Sequence, residues 1–261
     1  MPTLRVPQDF ATIGQAVSAA AAGDTILVDP AYGASESVTV GVDNLTISAS
    51  ASTPLITVTL LASAVNFTAT GTNATEVYAS TSLAINNTIH GNDGDNFIRG
   101  GAGDDTIDGG AGFDWADFRF SAAPVTVTLT DVVAGHSGGT ATGDGADTLI
   151  DIERVRGSTA ADTLTGNAED NWFRGGTGGD VIDGKGGFDW VDYRNASNSV
   201  TVTLTDGAGG HTGGSSSGAD GADTLTDIEA IRGGDFADTL TGNSQNNWLR
   251  GRAGDDILDG K

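Results

Sequence analysis

The sequence predicts an all-β protein, a right-handed parallel β-helix or β-roll solenoid with a short capping helix at the N-terminus. Three observations predict it. A nine-residue pattern recurs ten times between Gly91 and Asp259. A longer unit of 75 to 76 residues is laid over it. The first 85 residues alternate in short β-type runs. A fixed period of this kind means stacked units, each burying its face on the next.

The elements follow in chain order. Thr12 with Gln15 three residues later reads as a capping box, and Gly23 as the end of the helix it opens. The runs "TILVD", "SVTVGV", "LTISAS", "LITVTL" and "VNFTAT" then alternate as strands. This segment, residues 1–85, resembles the N-terminal cap and first coils of pectate-lyase-like β-helices, with the helix covering the open end of the solenoid. No proline-rich linker follows it, so one continuous solenoid is expected.

The nonapeptides come next. Position eight is apolar: Ile98, Ile107, Ala116, Leu164, Phe173, Ile182, Val191, Leu240, Leu249 and Leu258. Position six is Asn96, Asp105, Asp114, Asp162, Asn171, Asp180, Asp189, Asp238, Asn247 and Asp256. A three-residue strand with one inward aliphatic cannot stand alone. Stacked at about 4.7–4.9 Å, such strands form parallel sheets over an aliphatic ladder. The other six residues must turn the chain, and glycines at positions one, two and four permit positive φ and close backbone approach. Carbonyls then aim inward with the position-six carboxylates, an oxygen-only set suited to Ca²⁺. With two turns per coil, Asn96 stacks on Asp114, Asp162 on Asp180, Asn171 on Asp189 and Asp238 on Asp256.

The long repeat is marked by "VTVTLTD" at Val125–Asp131 and Val200–Asp206, and by "GADTL" at Gly145 and Gly221. Residues 86–261 thus hold two full modules and a partial third.

Composition narrows function. Thirty-five acids against 12 bases give a net charge of −23. That sign excludes most nucleic-acid binding and disfavours docking on anionic lipid. With no cysteine, there is no disulfide or zinc-thiolate chemistry. No segment is long enough to span a membrane, and no cleavable signal peptide is read at the start.

"GGAGDDTID" and "GGTGGDVID" match the glycine-rich nonapeptide of RTX, or haemolysin-type, calcium-binding proteins, and the resemblance covers residues 86–261. It implies a β-roll holding several calcium ions between successive turns, export through a type I channel, and folding on calcium outside the cell. It also implies the ligands: the side chains at Asn96, Asp105, Asp114, Asp162, Asn171, Asp180, Asp189, Asp238, Asn247 and Asp256. Carbonyls of Gly101, Gly103, Gly110, Gly112, Gly176, Gly178, Gly187 and Gly254 complete them. "GSTAADTLT" and "GGDFADTLT" lack the fourth-position glycine, and Asn stands at 96, 171 and 247, so weaker or empty sites are expected there. The family's export segment is missing, because the sequence stops within a nonapeptide at "DGK", which reads as a truncation.

Other constellations are weaker. His136 and His211 occupy matching "GHSGG" and "GHTGG" loops and read as repeated loop residues; His90 reads as structural. There is no HExxH and no nucleophile elbow. Before Arg99 the sole basic residue is Arg5, which argues against the lyase chemistry of the β-helix enzymes. Position seven carries Phe97, Trp115, Trp172, Trp190 and Trp248, pointing outward. It reads either as an exposed ladder for glycans or as a row covered by the "VTVTLTD" insertion, with the second favoured. The expected function is a non-enzymatic, secreted, calcium-binding structural or adhesive solenoid, associated with the cell surface. Its partners would be calcium, further copies in head-to-tail array, or surface glycans, with no nucleic acid and no membrane insertion. The alternatives are a calcium-stabilised carbohydrate-active β-helix, or a module of a larger secreted enzyme or toxin.

Overall fold

The structure, a computed structural model, describes residues 2–29, 31–32, 34–49, 56–61, 66–70, 75–79, 84–133, 135–207, 212–218 and 220–261. His211 lies outside them. The chain opens with β1 (Thr3–Val6), α1 (Ile13–Ala19), β2 (Thr25–Val28), β3 (Glu36–Val40), β4 (Leu45–Ala49), β5 (Ile56–Leu60), β6 (Asn66–Thr70) and β7 (Thr75–Tyr78). Three-residue strands follow: β8 (Thr88–His90), β9 (Phe97–Arg99), β10 (Thr106–Asp108) and β11 (Trp115–Asp117). Then come β12 (Thr126–Val133), β13 (His136–Thr142), β14 (Ala146–Ile150), β15 (Arg154–Arg156), β16 (Thr163–Thr165), β17 (Trp172–Arg174), β18 (Val181–Asp183) and β19 (Trp190–Asp192). The last are β20 (Val200–Asp206), β21 (Thr212–Gly218), β22 (Thr224–Thr226), β23 (Ala230–Arg232), β24 (Thr239–Thr241), β25 (Trp248–Arg250) and β26 (Ile257–Asp259).

Two compact units divide the chain: residues 1–117 with 144–152, and residues 118–143 with 153–261. Each is a parallel β-solenoid of two sheets. In the first unit the sheets run β1-β2-β4-β6-β8-β10-β14 and β3-β5-β7-β9-β11, and every described pairing is parallel. In the second they run β13-β12-β16-β18-β22-β21-β20-β24-β26 and β15-β17-β19-β23-β25. Here the repeat insertions enter as the antiparallel hairpins β12–β13 and β20–β21.

Position eight builds the core, because one side chain per three-residue strand must face inward. Ile89 pairs with Ile107 and Ile107 with Leu149. Val155, Phe173, Val191, Ile231 and Leu249 form the ladder of the other sheet in the second unit. Ile98, Ile107, Ala116, Leu164, Phe173, Ile182, Val191 and Leu240 are all buried. Leu258 is 50% exposed, on β26, the last strand of its sheet. Burying each of the Ile, Leu, Val and Phe side chains among the fully covered positions contributes about 1.5–3 kcal/mol.

All five runs expected between β2 and β6 are strands, although Ser50, Leu55 and Val65 lie outside the described residues. The helix stops at Ala19 rather than at Gly23, which adopts φ +85° in the turn beyond. Thr12 caps it, accepting the Gln15 N–H at 3.2 Å. The Glu36 carboxylate takes the next two orphan donors, Ile13 and Gly14, at 2.8 and 2.7 Å.

Candidate metal centre

Nine of the ten nonapeptides form two kinds of turn, and the one opened by Gly233 belongs to neither. Those opened by Gly100, Gly109, Gly175, Gly184 and Gly251 place positions two and four in the left-handed region. Gly101, Gly103, Gly110, Gly112, Gly176, Gly178, Gly187 and Gly254 have φ between +90° and +128°, with Lys185 (+72°) and Arg252 (+94°) at position two. Those opened by Gly91, Gly157, Gly166 and Gly242 are instead closed by a polar side chain at position two. Asn92, Ser158, Asn167 and Asn243 accept the N–H two residues on, at 2.9–3.0 Å.

The two kinds alternate eighteen residues apart, and the glycines explain the order. A Cβ on Gly110 would lie 2.6 Å from the Asn92 carbonyl oxygen, and one on Gly112 2.9 Å from that of Gly94. Gly176, Gly178, Gly187 and Gly254 clear Ser158, Ala160, Glu169 and Phe236 in the same way. Glycines at positions two and four therefore leave room for carbonyls of the preceding coil. Position one is not left-handed, contrary to the reading from sequence. Its glycine is required because a Cβ there would strike the position-six side chain, as Gly109 shows with Asp114 Oδ2 at 2.6 Å.

Position six is where the coils meet. Asn96, Asp105, Asp114, Asp162, Asn171, Asp180, Asp189 and Asp238 are buried; Asn247 and Asp256 are half-buried. All four expected stacks are present, each through one carboxylate oxygen. Asn96 N–H donates to Asp114 Oδ1 at 2.6 Å, Asp162 to Asp180 at 2.9 Å, Asn171 to Asp189 at 2.7 Å and Asp238 to Asp256 at 2.9 Å. The second oxygen differs between turns. Oδ2 of Asp105, Asp180 and Asp189 is buried and accepts no hydrogen bond. Oδ2 of Asp162 and Asp238 accepts the Ser158 and Gly234 N–H groups, both at 2.6 Å. Neither of these last two turns has a glycine at position four.

One cage shows what the unpartnered oxygens face. The Asn96 Nδ2 group lies among the carbonyl oxygens of Asn92 (3.1 Å), Gly94 and Gly109 (3.1 Å) and Asp114 Oδ1 (2.9 Å). Two N–H donors cannot satisfy four acceptors, whereas a hard cation can accept all of them. The Asn171 amide is turned the other way. Its Oδ1 and the Gly184 carbonyl oxygen both lie where a Cβ of Gly166 would be. The position-one carbonyls of Gly109, Gly175, Gly184 and Gly251 face their cages in this manner. The sequence carried the signal, since glycine opens all ten nonapeptides. Among the described residues no three acidic or histidine side chains converge on one point. The donor set is thus carbonyl-rich, one or two carboxylates with backbone oxygens, which fits calcium.

Electrostatics agree. Burial, with the charges of Asp144 and Asp104, pushes Asp105 up to about 6 against its Asn87 hydrogen bond. Burial and nearby carboxylates push Asp180 up to about 7 and Asp189 to about 8. A buried carboxylate without a counter-charge favours its neutral form.

The hairpin of the second unit does not cover the aromatic row there. In the second unit Trp172, Trp190 and Trp248 lie on β17, β19 and β25, whereas the hairpin β20–β21 joins the other sheet. Trp172 and Trp190 stack at 4.9 Å and 14°, Trp248 tilts onto Trp190 at 5.5 Å, and the Arg232 guanidinium lies 4.5 Å from the Trp172 ring. The ring faces are consumed along the stack. In the first unit Trp115 is 8% exposed beside Phe97. His90 Nδ1 pairs with Asp108 at 3.0 Å, and His136 opens β13 on an exposed hairpin end.

Oxygen-lined turns every nine residues, stacked on a parallel solenoid, define a cation-binding β-roll. The profile of the RTX calcium-binding nonapeptide repeat, in four copies, matches residues 84–116, 156–191 and 232–261. These three stretches carry RTX calcium-binding nonapeptide repeats. Residues 117–155 and 192–231, which carry the hairpins, fall outside the match, so the likeness is narrower than the 86–261 read from sequence. No curated protein matches the chain. Among the described residues no helix is long and apolar enough to cross a membrane.

Proposed function

We propose that the protein is a secreted, non-enzymatic, calcium-binding solenoid with a structural or adhesive role, whose coils lock when calcium is present. What supports this is the pairing of buried, unpartnered carboxylate oxygens at Asp105, Asp180 and Asp189 with turns whose carbonyls face the same space. The proposed side-chain ligands are those at position six from Asn96 to Asp256. Carbonyls of Gly101, Gly103, Gly110, Gly112, Gly176, Gly178, Gly187 and Gly254 remain proposed ligands, and the geometry around Asn96 adds Asn92, Gly94 and Gly109. Asp162 and Asp238, already holding backbone N–H groups, are proposed as the weaker positions. Residues 1–85 serve as cap and first coils, and 86–261 as the calcium-binding roll.

Bound calcium supplies positive charge and six to eight oxygen coordination positions. The chain supplies the rest. Position-six carboxylates tie each coil to its neighbour through Oδ1 and turn Oδ2 inward, and position-one glycines leave that oxygen its space. With low calcium inside the cell, the carboxylates repel and the coils stay open; outside, binding free energy becomes folding free energy. Circular dichroism during a calcium titration, with magnesium as control, tests this. Calcium is expected to raise the β signal and the melting temperature and magnesium to do neither; full β signal in excess chelator refutes it.

Self-association is a second reading, supported by one observation. Trp248, Ile257 and Leu258 are 60%, 63% and 50% exposed, on strands with no neighbour beyond them. A further coil, from a second copy or from chain following residue 261, would cover them. Electron microscopy is expected to show calcium-dependent head-to-tail assemblies; monodisperse monomers with and without calcium count against them.

A further inference from the structure

The two modules treat one pair of acids differently. In the second unit the segment after hairpin β20–β21 lies on the turn 175–180. Gly178 N–H donates to the Asp220 carbonyl at 2.6 Å, and Asp180 N–H to Asp223 Oδ1 at 2.9 Å. Both acids there have partners of their own. Asp223 Oδ2 accepts the Tyr193 and Ser216 hydroxyls, each at 2.7 Å. Asp220 Oδ1 accepts the Ser197 N–H and hydroxyl at 3.3 and 3.2 Å.

The first unit repeats the backbone arrangement. Gly103 N–H donates to the Asp144 carbonyl at 3.0 Å, Asp105 N–H to Asp147 Oδ1 at 2.9 Å and Ala146 N–H to Asp104 Oδ1 at 2.9 Å. The hydroxyls are gone, however: in the module alignment Ser197, the partner of Asp220, corresponds to Ala122, and Tyr193 and Ser216, the partners of Asp223, to Phe118 and Ala141. Asp144 Oδ1 is left buried without a hydrogen-bond partner, and so is Asp105 Oδ2, the latter in common with Asp180 Oδ2 of the second module. Asp105 and Asp147 are 2% and 3% exposed. Charge left there without donors costs more than it does in the second module.

We propose a calcium site between the turn 100–105 and the segment 144–147, with the Asp105 and Asp144 carboxylates as side-chain ligands and Asp147 holding the turn in register. It rests on the calcium reading of the nonapeptides but lies partly outside them, since Asp144 and Asp147 fall beyond the matched residues. Two carboxylates and backbone oxygens would form it, one carboxylate more than around Asn96. Gly145 allows the approach, because a Cβ there would collide with the Gly103 carbonyl oxygen. The second module lacks the Asp144 half of such a site, since the Ser197 N–H and hydroxyl already hold Asp220, although Asp180 Oδ2 is as unpartnered there as Asp105 Oδ2 is here.

Native mass spectrometry of the full chain with calcium counts the ions. Asp144→Asn is expected to bind one ion fewer than the parent with unchanged circular dichroism in calcium. Asp220→Asn is expected to bind as many as the parent. Equal counts for Asp144→Asn and parent overturn the proposal, and so does a loss in Asp220→Asn. A parent that binds no calcium at all fails the nonapeptide reading instead. Should Asp144→Asn not fold, anomalous difference density from calcium in parent crystals decides. A peak between Asp105 and Asp144 supports the site; peaks elsewhere but none there overturn it.

Discussion

One oxygen of Asp189 holds the Asn171 N–H, and the other accepts nothing in a buried position. Replacing it with asparagine keeps the first contact and removes the charge. In chelator, Asp189→Asn is expected to be more stable than the parent by about 1–3 kcal/mol, the penalty of an unsatisfied buried group. In saturating calcium the order reverses, because a charged ligand is lost. Urea melts in both conditions read the two signs; a variant weaker in both makes Asp189 a packing residue. Asp162 and Asp238 show the opposite design, since backbone N–H groups already hold both of their oxygens.

The nine-residue turn is legible in sequence because its apolar beat and its acid have no other place to go. Ile107 and Leu164 can only face inward on strands of three residues, so the core follows directly. The division of labour among glycines was not legible. Positive φ and close approach both select glycine, and only the neighbouring coil shows which one acts at Gly110 and which at Gly109. Gly175→Ala separates them. Its Cβ would occupy the place of Asp180 Oδ2, so it is expected to lose calcium at that turn and about 1–3 kcal/mol of stability through overpacking. Calcium-dependent melting checks it; unchanged calcium dependence rejects the assignment. The placement of the hairpins was hidden for a similar reason. "VTVTLTD" reads as a strand, but the sheet that receives it is set by its pairing with β16 and β24.

At the scale of the molecule, −23 net charge and a set of raised acids act together. Asp105, Asp147, Asp180 and Asp189 titrate near 6, 7, 7 and 8 when folded, against about 3.9 in an unfolded chain. The folded state thus binds protons more tightly. Their contribution is fully present below about pH 4 and is lost as pH rises through 6 to 8. In chelator the melting temperature is expected to fall from pH 5 to pH 9, and calcium is expected to flatten that slope. A chelated protein that melts higher at pH 9 than at pH 5 refutes it. Mutual repulsion of this kind was plain from composition; which acids carry it depends on burial, which composition does not reveal.

The stacked indoles of Trp172, Trp190 and Trp248 come from three separate coils of one wall. Rings held face to face at 4.9 Å couple their electronic transitions, and separated rings do not. Closure of the second unit therefore writes itself into the near-ultraviolet spectrum. The protein carries its own optical gauge of whether those coils have come together, with no dye attached.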